Sequence, residues 1–156
     1  MSENTSTTPY LDQFATNISE KIARDPEKYQ AYERENVTQR VLISLLKQIQ
    51  NSPLLVGEPG VGKTAIIEDL ARQLYQSNEP HLAKKQIIQI SLANLMKGSD
   101  GESFAYKFQK ILDELMAQKD TLIAFIDEIH QIVGTGADTN GSALDAGNII
   151  KPALSR

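Results

Sequence analysis

The residues best equipped for chemistry are Gly57, Glu58, Pro59, Gly60, Val61, Gly62, Lys63 and Thr64, followed by Ala65. They match G-x-x-x-x-G-K-[ST] at every fixed position. The spacing has a physical reason: successive backbone N–H groups must turn inward around phosphates, which needs glycine conformations, and the next helix must present its N-terminus to the anion. Lys63 is placed to reach the β and γ phosphates of a nucleotide, and Thr64 to put a hydroxyl on Mg²⁺. The plainer alternative is a Gly/Pro turn with a lysine by accident. Against it stands the context, since Pro53 to Val56 (PLLV) reads as a buried strand and AIIEDLARQL as a helix.

A second constellation is LIAFIDE, from Leu122 to Glu128. Apolar residues make a buried strand, Asp127 at its carboxyl end can hold the Mg²⁺ shell, and Glu128 can orient and deprotonate an attacking water. Many buried strands end in an acid, so the pattern gains its meaning from the phosphate loop upstream. The paired carboxylates point to hydrolysis rather than transfer to a bound acceptor.

These residues need a scaffold. Apolar runs at Pro53 to Val56, Gln86 to Leu92 and Leu122 to Ile126 read as strands. Helical stripes lie between them, first Ile66, Ile67, Leu70, Ala71 and Leu74, then Phe104, Phe108, Ile111, Leu112 and Leu115. Strand and helix in alternation predict an α/β protein with a parallel sheet flanked by helices. Upstream, Leu11, Phe14, Ala15, Ile18 and Ile22 share one helical face that Asp25-Pro26 ends, and Val37, Val41, Leu42, Leu45, Leu46 and Ile49 make a second stripe. Residues 1–9 are polar and read as a flexible tail, leaving 10–156 as the domain.

Bulk properties narrow the function. With 16 Lys and Arg against 20 Asp and Glu the net charge is −4, which disfavours a nucleic-acid partner, and no dense basic run offsets it. The absence of cysteine excludes disulfides, cysteine metal sites and thiol nucleophiles. No apolar stretch approaches the ~20 residues of a membrane span and the N-terminus lacks a signal-peptide pattern, so a cytoplasmic protein is expected.

Three stretches, NSPLLVGEPGVGKTAIIEDLARQL from Asn51, FIDEIHQIVGTGA from Phe125 and LDAGNIIKPALSR from Leu144, make the chain resemble the first nucleotide-binding domain of the Clp-type AAA+ unfoldases and disaggregases, the group containing ClpA, ClpB and ClpC. The likeness runs from Leu11 to Arg156. It implies a P-loop NTPase of the AAA+ type, with ATP and Mg²⁺ as ligands, acting in a ring, usually a hexamer, that pulls protein substrates through a pore, with a peptidase or adaptor as a further partner. By position it assigns Gly57 to Ala65 to the phosphates, Thr64 and Asp127 to the metal and Glu128 to water activation. His130 matches a family position, but a histidine capping a strand end is the commoner role. The segment that wraps the adenine in the family corresponds to Ala31-Tyr32-Glu33-Arg34, where Tyr32 and Glu33 replace a small aliphatic residue and a glycine. The family's substrate-gripping loop corresponds to Met96 to Phe104, MKGSDGESF, which has no aromatic within the loop; Phe104 and Tyr106 are expected to begin the next helix.

The family's sheet has five strands, its phosphate-loop strand lying between the fourth and fifth in chain order. Only three of the five are expected here, and the sensor, arginine finger and helical lid fall beyond Arg156. The chain is thus expected to be the front part of a longer AAA+ protein, with weak turnover by itself. Direct pairing of the Asp127 strand with the Pro53 to Val56 strand is an alternative closure of the sheet. A second functional reading is a nucleotide-dependent assembly or scaffold protein with little hydrolysis.

Overall fold

In a computed structural model of the chain, residues 6–29, 35–47, 62–97 and 101–127 are described. They divide between two compact units, one holding residues 6–16 and 88–127, the other residues 17–87. The chain passes from one unit to the other within strand β1 (Ala15–Asn17) and again within strand β2 (Gln86–Ile90).

The first unit has helix α1 (Pro9–Phe14), a short helix α6 (Leu92–Met96), the long helix α7 (Phe104–Ala117) and strand β3 (Leu122–Ile126). Its core joins Leu11 and Phe14 to Ile88, Ile90, Leu92 and Leu95 and to Phe108, Ile111 and Leu112 of α7. The stripe expected on α7 is therefore its buried face, with Phe104 and Leu115 packed at the margin. Phe104 begins the helix as expected, stacked on Phe108 with ring centres 5.6 Å apart. Ser103 starts α7 by accepting a hydrogen bond from the Tyr106 N–H at 3.1 Å.

The second unit is built on helix α4 (Lys63–Tyr75), against which helix α2 (Ile18–Ala23), a 3₁₀ turn (Pro26–Tyr29), helix α3 (Glu35–Leu45) and the short helix α5 (Pro80–Ala83) all pack. Each member of the α4 stripe is buried: Ile66, Ile67, Leu70, Ala71 and Leu74.

The strands pair in the order β1-β2-β3 in a mixed sheet. Ser91 N–H donates to Phe14 O at 3.4 Å, and the Asn17 and Gln86 side chains bond at 3.0 Å, so β1 and β2 run antiparallel. β3 then lies parallel to β2, the two joined by a crossover that contains α7.

Four expectations are corrected. The single helix from Leu11 to Ile22 is interrupted by β1, because Asn17 caps α2, accepting from the Glu20 N–H at 3.1 Å, and β1 gains a partner in β2. The strand expected to reach Leu92 stops at Ile90, since Ser91 caps α6 by accepting from the Asn94 N–H. On α3 the stripe is rotated: Thr38 and Val41 are buried, whereas Leu46 falls past the helix end and is 47% exposed. β3 is half-buried rather than fully buried, with Ala124 exposed, because it is an end strand of the described sheet. The strand expected at Pro53 to Val56 lies outside the described residues. No described helix is long and apolar enough to cross a membrane.

Candidate functional site

The start of α4 has a distinctive backbone geometry. Gly62 is its N-cap, with φ 91° and ψ 26°, in the left-handed region that costs L-residues with a Cβ about 1–2 kcal/mol. From there its carbonyl accepts the Ile66 N–H at 3.2 Å, closing the first turn. Lys63, Thr64 and Ala65 occupy that turn, Lys63 half-buried and the other two exposed.

What the turn lacks is equally informative. Helices α2, α6 and α7 each satisfy an early N–H group with the side chain of Asn17, Ser91 or Ser103. Gly62 has no side chain to do so, and the first turn of α4 carries no acid. The positive end of a 13-residue helix thus carries neither a side-chain cap at Gly62 nor an acid in its first turn, a setting that phosphate oxygens would suit.

The rest of α4 is held in place on two sides. Its apolar face is buried, and at its centre Asp69, 1% exposed, accepts from Arg72 Nη2 at 2.7 Å and Nε at 3.1 Å through Oδ1, and from Gln73 Nε2 at 3.1 Å through Oδ2. Gln73 in turn accepts from Gln39 Nε2 of α3 at 3.1 Å, and Arg72 donates to Gln76 at 2.8 Å. Lys21 of α2 pairs with Glu68 at 3.6 Å. Sequence reasoning passed over Asp69. Its signal was there in the spacing, with Arg72 and Gln73 three and four residues on.

Asp127 belongs to the other unit. It follows the last residue of β3 directly, in a turn, and is half-buried. A carboxylate and a threonine hydroxyl are hard oxygen donors of the kind Mg²⁺ takes, usually one or two per site with phosphate oxygens and water completing the shell. Among the described residues no three His, Cys, Asp or Glu side chains form a metal cluster, which such a sparse protein shell does not require. Of the residues singled out from the sequence, Gly62, Lys63, Thr64 and Ala65 sit together at the start of one helix and Asp127 directly follows a strand. Ala31, Tyr32, Gly57, Glu58, Pro59, Gly60, Val61 and Glu128 lie outside the described residues.

Comparison with known proteins bears on the same residues. Residues 53–154 match the family described as "ATPase family associated with various cellular activities (AAA)". The ATP-dependent Clp protease ATP-binding subunit ClpE of Streptococcus pneumoniae is 41% identical over 148 residues, covering 94% of this chain and 19% of that protein. The chaperone protein ClpB of Aquifex aeolicus is 43% identical over 149 residues, covering 94% and 14%. Among solved structures, the Saccharomyces cerevisiae Hsp104–ADP complex superposes with a TM-score of 0.75 at 35% identity, over 93% of this chain and 24% of that one. A closed-state cryo-EM structure of Hsp104 with ATPγS and casein gives 0.74 at 35% identity, over 92% and 24%. The chain thus spans about a fifth of the length of these relatives.

Proposed function

Because the chain belongs to the AAA family of ATPases, we propose that it is the nucleotide-binding front of a Clp-type protein-remodelling ATPase, with Mg·ATP as its ligand and water as the second reactant. The observation that carries this reading is the left-handed Gly62 cap on a helix that begins Lys63-Thr64 without side-chain cap or acid. Gly57 to Ala65 would enclose the phosphates, with Lys63 against the β and γ groups. Thr64 and Asp127 would hold Mg²⁺, which when bound neutralises charge building on the phosphate oxygens. Glu128 would orient the attacking water and accept its proton, and Ala31 and Tyr32 are assigned to the base by the family resemblance.

The proteins that the chain resembles carry names that describe a protease subunit and a chaperone, and one was solved with casein. On that support the proposal extends to protein substrates and a peptidase or adaptor partner; the resemblance to the Clp-type family adds a homo-oligomeric ring of six and work in the cytoplasm. Calorimetric titration of the chain with Mg·ATP tests the core of it. Saturable binding that disappears in Lys63→Ala supports the proposal, and a folded wild type that takes up no nucleotide overturns it for this chain.

A further inference from the structure

Glu102, Tyr106, Lys110, Glu114 and Gln118 follow one another at intervals of four, which sets them in one row along α7 and its two flanks. The N-terminal segment uses this row from end to end. Gln118 Nε2 donates to Thr7 Oγ1 at 3.1 Å. The Glu114 carboxylate accepts the N–H groups of Tyr10 at 2.9 Å and Leu11 at 2.8 Å. The Tyr10 hydroxyl donates to Glu102 at 3.0 Å, and its ring meets Tyr106 edge-on at 6.3 Å, with Lys110 Nζ 5.4 Å from the Tyr106 ring centre. Below this polar row Leu11 and Phe14 are buried with Phe108, Ile111 and Leu112.

A helix of six residues does not persist in water by itself, so α1 is helical because it is docked. Thr8 donates to Asp12 at 3.2 Å and Ser6 donates to the same carboxylate, so residues 6–8 and α1 move as one piece. The contact farthest along the row is Glu102, next to Ser103, the residue that caps α7. We propose that α1 is a displaceable strap coupled to the start of α7: drawing residues 6–8 away releases Glu102 and loosens the first turn of α7, and loosening that turn frees α1. This coupling depends on neither nucleotide nor the function proposed above.

Energetic coupling is mutual, and that makes it testable from both ends. Hydrogen exchange of the 156-residue chain, read by mass spectrometry, would compare wild type with Tyr10→Phe and Glu102→Gln. Loss of the hydrogen bond in Tyr10→Phe should raise exchange about five-fold, and its weakening in Glu102→Gln, where an uncharged amide oxygen replaces the carboxylate, by a smaller factor, in residues 9–14 and in residues 103–107 alike for either variant. Faster exchange confined to the side that carries the substitution overturns the proposal, as does no change in either variant. Should Tyr10→Phe fail to fold, Glu102→Gln alone decides, since unaltered exchange in α1 would show that the two ends are not coupled.

Discussion

Arg72 closes on Asp69 through two nitrogens, Nη2 at 2.7 Å and Nε at 3.1 Å, both directed at the same carboxylate oxygen, with Asp69 1% exposed and the Arg72 side chain 17% exposed. Removing one partner of so buried a pair leaves a carboxylate with Gln73 as its remaining partner among the contacts described above. Arg72→Ala should therefore lower stability by about 2–3 kcal/mol. Adding Asp69→Ala should recover part of that loss, because the stranded charge goes with it. Urea midpoints of the two singles and the double check this, and strict additivity would contradict it.

Gly62→Ala should destabilise the chain by about 1–2 kcal/mol. Among the described residues a Cβ at Gly62 would meet no atom within 4 Å, so the penalty expected is conformational, arising from φ 91°. Gly62→Asn, a residue that tolerates this region better, should lose less. Thermal unfolding of both variants separates the two causes, since a steric origin would make asparagine the worse substitution.

The helices α4 and α7 and the strands β2 and β3 were legible because period, caps and breakers agree locally: Gly62 before the Ile66 stripe, Ser103 before the Phe108 stripe, and apolar runs at Ile87 and Leu122. The interruption of the first helix was not. Leu11, Phe14, Ile18 and Ile22 satisfy a helical spacing, and what overrides it is pairing with a strand some seventy residues away, which no local window contains. Asp69 and Thr38 escaped for a related reason, since polar side chains on a core face are recognised only when their partners are placed. Of the candidate site residues, the positions of Gly62 to Ala65 at a helix start and of Asp127 just past a strand were legible, because a glycine before a helical stripe and an acid after an apolar run mark those places locally.

Tyr10 should titrate well above an ordinary tyrosine, because burial disfavours the anion and the Glu102 carboxylate accepts its proton and repels its charge. The folded state thus holds this proton more tightly than the unfolded chain, whose tyrosines ionise near pH 10. The stability it contributes is fully present below about pH 10 and declines above it, as the unfolded state gains from ionising first. Wild type minus Tyr10→Phe should accordingly be constant from pH 7 to about 10 and shrink at higher pH. Ultraviolet titration of tyrosinate should show a late component that Tyr10→Phe removes and Glu102→Gln moves to lower pH.

Lys63→Ala and Glu128→Gln should fail at different steps. Lys63 sits in the first turn of α4, where its ammonium would meet phosphate in the ground state and in the transition state, so its loss should abolish both nucleotide binding and phosphate release. Glu128, one residue beyond Asp127, would on the proposed function orient water and take its proton, a role that matters only as the bond to phosphorus forms. Its amide variant keeps the shape and removes the base, so Mg·ATP affinity should stay within a few-fold of wild type while slow phosphate release falls about 10²-fold or more. Calorimetry with a long-incubation phosphate assay on the same samples distinguishes the two. Hydrolysis at the wild-type rate in Glu128→Gln would remove this residue from the reaction and favour a protein that uses nucleotide occupancy rather than turnover.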